Sequence, residues 1–113
     1  MHEFSIAEDL SAIVLDTALS NNLSKVSKVN IIFGQMIQIV PDIFEFAFIE
    51  TVKNSVAEGA QLNIEILPIK MECMNCGNYF QVNENRFECR NCGSTDLGII
   101  QGNELFIKSI EGE

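Results

Sequence analysis

The sequence has 113 residues, of which 47% are hydrophobic and 20% charged, and its formal net charge is −9. This length allows one compact domain with a small appendage, and the net charge excludes general binding to nucleic acid or to an anionic membrane, because both require clustered Lys and Arg. There is no apolar run of membrane-spanning length and no basic signal-peptide region, so we expect a cytoplasmic protein.

Residues 5–19 are predicted to form an amphipathic helix. Ser5 and Glu8 fit a capping box, in which the serine oxygen accepts a backbone hydrogen bond and the glutamate reaches back to the first amide. The apolar residues recur at spacings of three and four along one stripe, which predicts the face that meets the core. They are Ile6, Leu10, Ile13, Val14 and Ala18.

A strand and a second helix are predicted next. Residues 28–33 are rich in β-branched side chains and indicate a strand, which the apolar residues up to Val40 would continue with or without a bulge at Gly34. Pro41 and Asp42 favour a helix start, and Gly59 is expected to end that helix. Its apolar stripe indicates core packing rather than an aromatic cofactor site. The stripe comprises Phe44, Ala47, Phe48, Val52 and Val56.

The remaining segments complete an α+β fold, with two helices packed on a small three-stranded sheet. Residues 61–67 alternate between apolar and polar side chains, as expected of a half-buried strand, and residues 104–111 indicate the last strand. Between them lies an inserted four-cysteine zinc ribbon, in which residues 70–72 lead to the first cysteine pair. Residues 80–82 and 86–88 are predicted to be short pairing strands of this ribbon, joined by a turn at residues 83–85. We therefore expect one domain formed by 1–69 and 98–113 and a ribbon domain formed by 70–97.

All four cysteines lie in the ribbon segment as two Cys-x2-Cys pairs, Cys73/Cys76 and Cys89/Cys92. This spacing is typical of four thiolates around one zinc ion, at about 2.3 Å from the metal. Two disulfides would require an oxidising compartment, and a rubredoxin-like iron site would use the same four ligands. We favour structural zinc, because four protein ligands leave no coordination position for water or substrate.

The N-terminus carries a second candidate metal site, formed by Met1, His2 and Glu3. The amine, the only imidazole of the chain and a deprotonated backbone amide form the nitrogen-rich set that Ni(II) prefers. Chain termini are also commonly frayed and without function, so these residues alone leave both interpretations open. We find no second histidine for a nucleophile and base pair and no phosphate-binding glycine loop, and we expect no enzymatic activity.

The combination of Met1-His2-Glu3-Phe4-Ser5 with the two distal cysteine pairs resembles the HypA family of hydrogenase-maturation nickel metallochaperones. The resemblance extends over the whole chain and includes Phe46-Ala47-Phe48 and the segment from Gln101 to Leu105. Two positions depart from the common family pattern. Gln35 replaces a frequent glutamate, and Arg90 stands where many members have proline in the second cysteine pair.

The resemblance implies a nickel-binding α/β domain joined to a zinc-binding domain. It implies that His2 and Glu3 bind nickel together with backbone nitrogen from Met1 and His2, and that Cys73, Cys76, Cys89 and Cys92 bind zinc. The implied function is nickel delivery for the hydrogenase large-subunit precursor with the partner GTPase HypB, and urease accessory proteins are further implied partners. The alternative is a zinc-ribbon adaptor for protein interactions that carries no transferable nickel.

Overall fold

The computed structural model describes residues 2–113, so the prediction that Met1 is a nickel ligand lies outside the described residues. Within this range the α+β prediction is confirmed, with two helices and two three-stranded sheets ordered β2-β1-β6 and β4-β3-β5. In chain order the elements are α1 His2–Ser20, β1 Val26–Gly34, a 3-10 helix Gln35–Ile37, α2 Pro41–Thr51, β2 Gln61–Leu67, β3 Lys70–Cys73, β4 Tyr79–Gln81, β5 Leu97–Gln101 and β6 Leu105–Gly112.

Tertiary contacts divide the chain into two compact units. The helical unit comprises the chain up to Ile32 together with Ile39–Glu65 and Phe106–Glu113, and the cysteine unit comprises Phe33–Gln38 and Ile66–Leu105. The short segment after β1 therefore belongs with the cysteine unit by its contacts. The division into a nickel-binding domain of residues 1–69 and 98–113 and a zinc-binding domain of residues 70–97 stays a prediction about metal binding.

In the helical unit, α1 and α2 pack against each other. The inner stripe of α1 differs from the predicted one, because Ala7 and Ser11 are buried while Ile6 is half-buried and Ile13 is 50% exposed. A spacing of three and four that starts at Ala7 skips residue 13, which therefore points away from the core. From α2 the core receives two aromatic rings 6.1 Å apart, Phe44 and Phe48.

The structure corrects the predicted start of α1 and the predicted end of α2. Helix α1 already includes His2, and the Ser5 hydroxyl donates to the His2 carbonyl at 3.0 Å inside the helix, so Ser5 is not a cap. Helix α2 ends at Thr51, well before Gly59. Successive turns follow it, with Ser55 N–H donating to the Val52 carbonyl at 3.1 Å, and Val56 is consequently an exposed turn residue.

The cysteine unit is built on β3, which pairs antiparallel with β4 and with β5. The third strand is Leu97–Gln101, so the prediction of a strand at residues 86–88 is wrong. The turn before that segment does form, with Glu84 and Asn85 at positive φ angles of 57° and 59° and Arg86 N–H donating to the Asn83 carbonyl, but the chain after the turn does not pair with β4, and β5 pairs with the other edge of β3. A small apolar cluster fills the unit, with Ile69, Met71 and Val82 buried and Phe80 and Leu97 packed against them.

The chain after β1 turns instead of continuing as a strand to Val40. Met36 N–H donates to the Gly102 carbonyl at 2.8 Å, and Gln38 takes a left-handed conformation with φ 56° at the end of the 3-10 helix. The Gln35 side-chain oxygen accepts a hydrogen bond from Ile69 N–H at 3.3 Å. The amide at position 35 thus joins this turn to the segment that enters β3.

Two glycines allow the close backbone approach at this turn. A β-carbon built at Gly34 would lie 2.0 Å from the carbonyl carbon and oxygen of Gly102, which no side chain can tolerate. Gly102 itself has a φ of 125°, a conformation that L-residues rarely adopt. The contact therefore requires glycine at position 34 and favours it strongly at position 102.

We expect Gly34→Ala to lower the free energy of unfolding by more than about 2 kcal/mol, because the backbone of Gly102 must move to admit the methyl group. Urea unfolding followed by circular dichroism measures the loss. Gly98→Ala is the matched control, because its β-carbon would meet only the flexible Met74 sulfur, at 3.2 Å. Equal stability of the Gly34 variant and the wild type would contradict the close approach.

Candidate metal centre

The cysteine unit brings all four predicted sulfur ligands together. One ligand atom from each of Cys73, Cys76, Cys89 and Cys92 lies within 4.8 Å of the others. The sulfur atoms of Cys73 and Cys92 are 3.6 Å apart, as are those of Cys76 and Cys89, and all four cysteines are free of disulfides. Four sulfurs at about 2.3 Å from a zinc ion stand roughly 3.8 Å apart in a tetrahedron, so the cluster fits zinc.

Each cysteine pair forms the same local turn. In the first, Cys73 N–H donates to the Asn78 carbonyl and Gly77 N–H donates to the Cys73 carbonyl, both at 2.8 Å. Gly77 has a φ of 78°, which closes the turn without a side-chain penalty.

The second turn repeats these bonds from Cys89 to Ser94 and from Gly93 to Cys89, again at 2.8 Å. Backbone amides then face the sulfurs: Cys76 N–H donates to the Cys73 sulfur and Cys92 N–H to the Cys89 sulfur, both at 3.5 Å. The sequence thus folds each pair into a turn that presents one cysteine sulfur to backbone donors.

Three asparagine side chains connect the turns to each other, and none of them was predicted from the sequence. Asn75 donates from its amide to the Cys92 sulfur and Asn91 to the Cys76 sulfur, both at 3.6 Å, and Asn78 makes a longer contact of 4.0 Å with the Cys89 sulfur. Each turn therefore supplies a hydrogen bond to a ligand of the other turn. The signal was present in the sequence, since both pairs read Cys-x-Asn-Cys-Gly.

Hydrogen bonds to the sulfurs also favour the thiolate form that a metal needs. The N–H groups of Cys92 and Asn91 lower the pKa of Cys89 to about 6, although burial opposes them. The N–H of Ser94 and the amide of Asn75 lower the pKa of Cys92. At Cys73 the Cys76 N–H acts in the same direction, but burial and hydrogen bonds with neighbouring thiols outweigh it and raise the pKa.

The predicted nickel residues that the structure describes lie in the first turn of α1 and differ in their surroundings. His2 is exposed, whereas Glu3 is only 4% exposed and its carboxylate accepts a hydrogen bond from Val40 N–H at 3.2 Å. Val40 is the N-cap residue of α2 and makes no side-chain capping bond of its own. Glu3 therefore bonds to the N-cap amide that a capping-box glutamate would otherwise satisfy, and it holds the start of α1 against the start of α2.

The Glu3 carboxylate is favoured in its charged form. Its own backbone N–H lowers its pKa most, the Val40 N–H lowers it further, and desolvation of the buried carboxylate opposes them. The net pKa lies below the ordinary value of 4.5.

Between residues 2 and 113, the four cysteines are the one group of three or more His, Cys, Asp or Glu side chains placed to share a metal ion. No helix in that range is long and apolar enough to cross a membrane.

Comparison with known proteins gives consistent matches over the full length. The family model described as "Hydrogenase/urease nickel incorporation, metallochaperone, hypA" matches residues 1–112. A protein of Aquifex aeolicus named hydrogenase maturation factor HypA is 39% identical over 113 residues, covering 100% of this chain and 98% of the relative. A protein of the same name from Caldanaerobacter subterraneus is 34% identical, with 100% of both chains covered.

Solved structures agree with these sequence matches. The solution structure of the Ni metallochaperone HypA from Helicobacter pylori aligns with a TM-score of 0.72 and 30% identity, covering 99% of this chain and 97% of that one. A second solution structure, of a protein titled HypA, aligns with a TM-score of 0.75 and 30% identity, covering 100% of this chain and 97% of that one.

We expect the double variant Asn75→Ala/Asn91→Ala to lose zinc to a chelator about tenfold faster than the wild type, because each substitution removes a hydrogen bond that stabilises a thiolate ligand. Release is followed with a coloured zinc indicator after the addition of excess chelator. Asn83→Ala, at an exposed asparagine of the turn after β4, is the control. Release from the double variant at the control rate would show that the asparagine bonds do not hold the zinc ligands.

The lowered pKa of Glu3 predicts a pH-dependent stability. The charged carboxylate stabilises the fold above pH 4.5, and this contribution is lost as the pH falls through the depressed pKa of the folded protein. We expect wild type to have a higher unfolding temperature than Glu3→Gln at pH 7, with the difference shrinking below pH 4.5. A difference between wild type and Glu3→Gln that stayed constant over this pH range would contradict the assignment.

Proposed function

Because this chain belongs to the HypA family of nickel metallochaperones, we propose that it holds its Ni(II) cargo at its N-terminus through Met1, His2 and Glu3. The family function, nickel incorporation in the maturation of hydrogenase, applies to the chain as a whole. The assignment of the nickel ligands to the first three residues is the proposal. The observation that carries it is the exposed imidazole of His2 on a chain end that a folded helix holds in place.

The chemistry of these residues suits nickel. The terminal amine, the His2 imidazole and a deprotonated backbone amide offer nitrogen donors, which Ni(II) prefers in a planar arrangement. The Oε2 atom of Glu3 is engaged by Val40 N–H, so Glu3 would add its other carboxylate oxygen or a backbone nitrogen. All of these nitrogen donors must lose protons to bind metal, and nickel binding should therefore weaken in acid.

The two metals would have different roles. Zinc, held by the four cysteine thiolates, is a resident structural ion with no open position, and it folds a unit whose apolar cluster is small. Nickel bound beside the exposed His2 could be approached by the ligands of another protein, so it could leave by ligand exchange. This difference supports a carrier that does not itself catalyse a reaction.

The partners follow from the family. Relatives are named hydrogenase maturation factors, which implies contact with the maturation machinery. We propose the hydrogenase large-subunit precursor as the recipient of nickel and the HypB GTPase as the partner in delivery, with the urease accessory proteins as a further set of partners. We propose the cytoplasm as the place of action, where reduced thiols remain available for zinc.

We expect His2→Ala to weaken nickel binding by at least about tenfold, because the variant lacks the only imidazole of the chain. Calorimetry is performed on untagged protein with a free N-terminal amine, at pH 7.5 and again near pH 6, where wild-type binding should also weaken. X-ray absorption at the nickel edge then identifies the donors.

Asp16→Asn, an exposed substitution farther along α1, is the matched control, and the zinc content of both variants should equal that of the wild type. Unchanged nickel affinity in His2→Ala would place the nickel site elsewhere. If the wild-type protein retained zinc but took up no stoichiometric nickel, it would behave as a zinc-ribbon adaptor and not as a nickel carrier.

A further inference from the structure

An aromatic pair lies on the outer surface of the two helices. The rings of Phe4 in α1 and Phe46 in α2 contact edge to face, with centroids 6.3 Å apart and an interplanar angle of 76°. Phe4 is 40% exposed and Phe46 is 58% exposed. Ile49, three residues after Phe46 and therefore its neighbour on the helix surface, is 47% exposed. We call Phe4, Phe46 and Ile49 the aromatic patch.

Core packing does not account for these side chains. Helix α2 already contributes Phe44 and Phe48 to the core, and both are almost completely buried. Phe46 lies two residues from each of them, which is about 200° around a helix, so it points outward. Exposed apolar residues are ordinary when they stand singly, whereas adjoining ones on two different elements are typical of contact surfaces.

Charge distinguishes this surface from the rest of the chain. Helix α1 contains four acidic residues and α2 contains three, and neither helix contains Lys or Arg. Glu8 is one helical turn after Phe4, and Asp42 is one turn before Phe46, so exposed carboxylates flank both rings. The nearest base in the chain beyond α2, Lys53, is paired with Glu50 at 3.0 Å. The aromatic patch is thus an apolar surface inside an anionic one.

This combination selects the kind of partner. Anionic lipid and nucleic acid would be repelled by the surrounding carboxylates. A second copy of the chain presenting the same surface would be repelled as well, because its helices carry the same acidic residues. An amphipathic helix with apolar side chains on one face and Lys or Arg beside them would bury the rings and pair with the carboxylates.

We propose that the aromatic patch docks a cationic amphipathic segment of another protein. The docked segment would lie beside Phe4, two residues from His2, so a bound partner would stand next to the chain end. The inference goes beyond nickel binding and does not depend on it, since it rests on the exposure of the rings and on the charges around them.

The test uses a synthetic 18-residue helical peptide with Leu at positions spaced three and four apart and Lys elsewhere. A second peptide with Glu in place of Lys is the charge control. Binding to the full-length zinc-loaded protein is measured by calorimetry and located by chemical-shift changes in the isotope-labelled chain. We expect the Lys peptide to bind, with shifts centred on residues 4, 46 and 49, and the Glu peptide not to bind.

Phe4→Ser/Phe46→Ser should weaken binding of the Lys peptide by at least about tenfold, since both apolar contacts are lost. Glu8→Gln/Asp42→Asn should weaken binding about threefold and reduce its salt dependence. Ile13→Ser is the matched control, because Ile13 is an equally exposed apolar residue of α1 nine residues from Phe4, half a turn around the helix. Circular dichroism confirms that each variant is folded.

Three results would overturn the proposal: no binding of the Lys peptide, equal loss of affinity in the Ile13 control, or shifts centred away from the aromatic patch. Self-association detected by sedimentation and abolished by Phe46→Ser would instead assign the surface to a second copy of the chain. Nickel binding by the variants is measured in parallel. A variant that loses peptide binding but still binds nickel tests the docking surface alone. A variant that loses nickel binding but still binds the peptide tests the nickel site alone.

Discussion

Four sulfur atoms gathered within 4.8 Å of one another are the constraint around which the cysteine unit is built. Thiolates at this distance repel one another unless a cation lies between them, and the apolar cluster of the unit, formed by Ile69, Met71 and Val82, is small. A metal ion bound by the four sulfurs would therefore supply much of the folding energy of this unit. The turns, the glycines that close them and the amides that face the sulfurs are arranged to make that cation bind.

The two proposed metal sites favour opposite outcomes, retention of zinc and exchange of nickel. The four cysteine sulfurs, which are the proposed zinc ligands, are oriented by backbone and side-chain hydrogen bonds, and four sulfurs would leave a zinc ion no open coordination position, which would favour retention. His2, one of the proposed nickel donors, is exposed at the start of α1, where another protein can reach it. Glu3 differs from the neighbouring His2 in its surroundings. The Glu3 carboxylate is buried and accepts a hydrogen bond from Val40 N–H, whereas His2 is exposed. Glu3 thus holds the start of α1 in place while the preceding residue stays accessible.

The sequence predicted well those features that depend on residue type and spacing. The cysteine spacing predicted the sulfur cluster, the periodic apolar residues predicted two helices, and alternation predicted the strand at Gln61–Leu67. Features set by tertiary contacts were missed. The segment after Gly34 is apolar enough for a strand, but its hydrogen bond to Gly102 turns it into a 3-10 helix. Residues 97–101 became a strand only because β3 offers them a partner, and the carboxylate of Glu3 found its donor at Val40, far along the chain.

The crossed hydrogen bonds from Asn75 and Asn91 have a consequence for how the metal centre changes over evolution. Each asparagine acts on a ligand supplied by the opposite turn, so a substitution in one half alters the electronic environment of a sulfur in the other half. The two halves of the motif are therefore not independent modules that can drift separately. Relatives that lack one of these amides should tend to lack the other as well, and should compensate with different donors to both sulfurs at once.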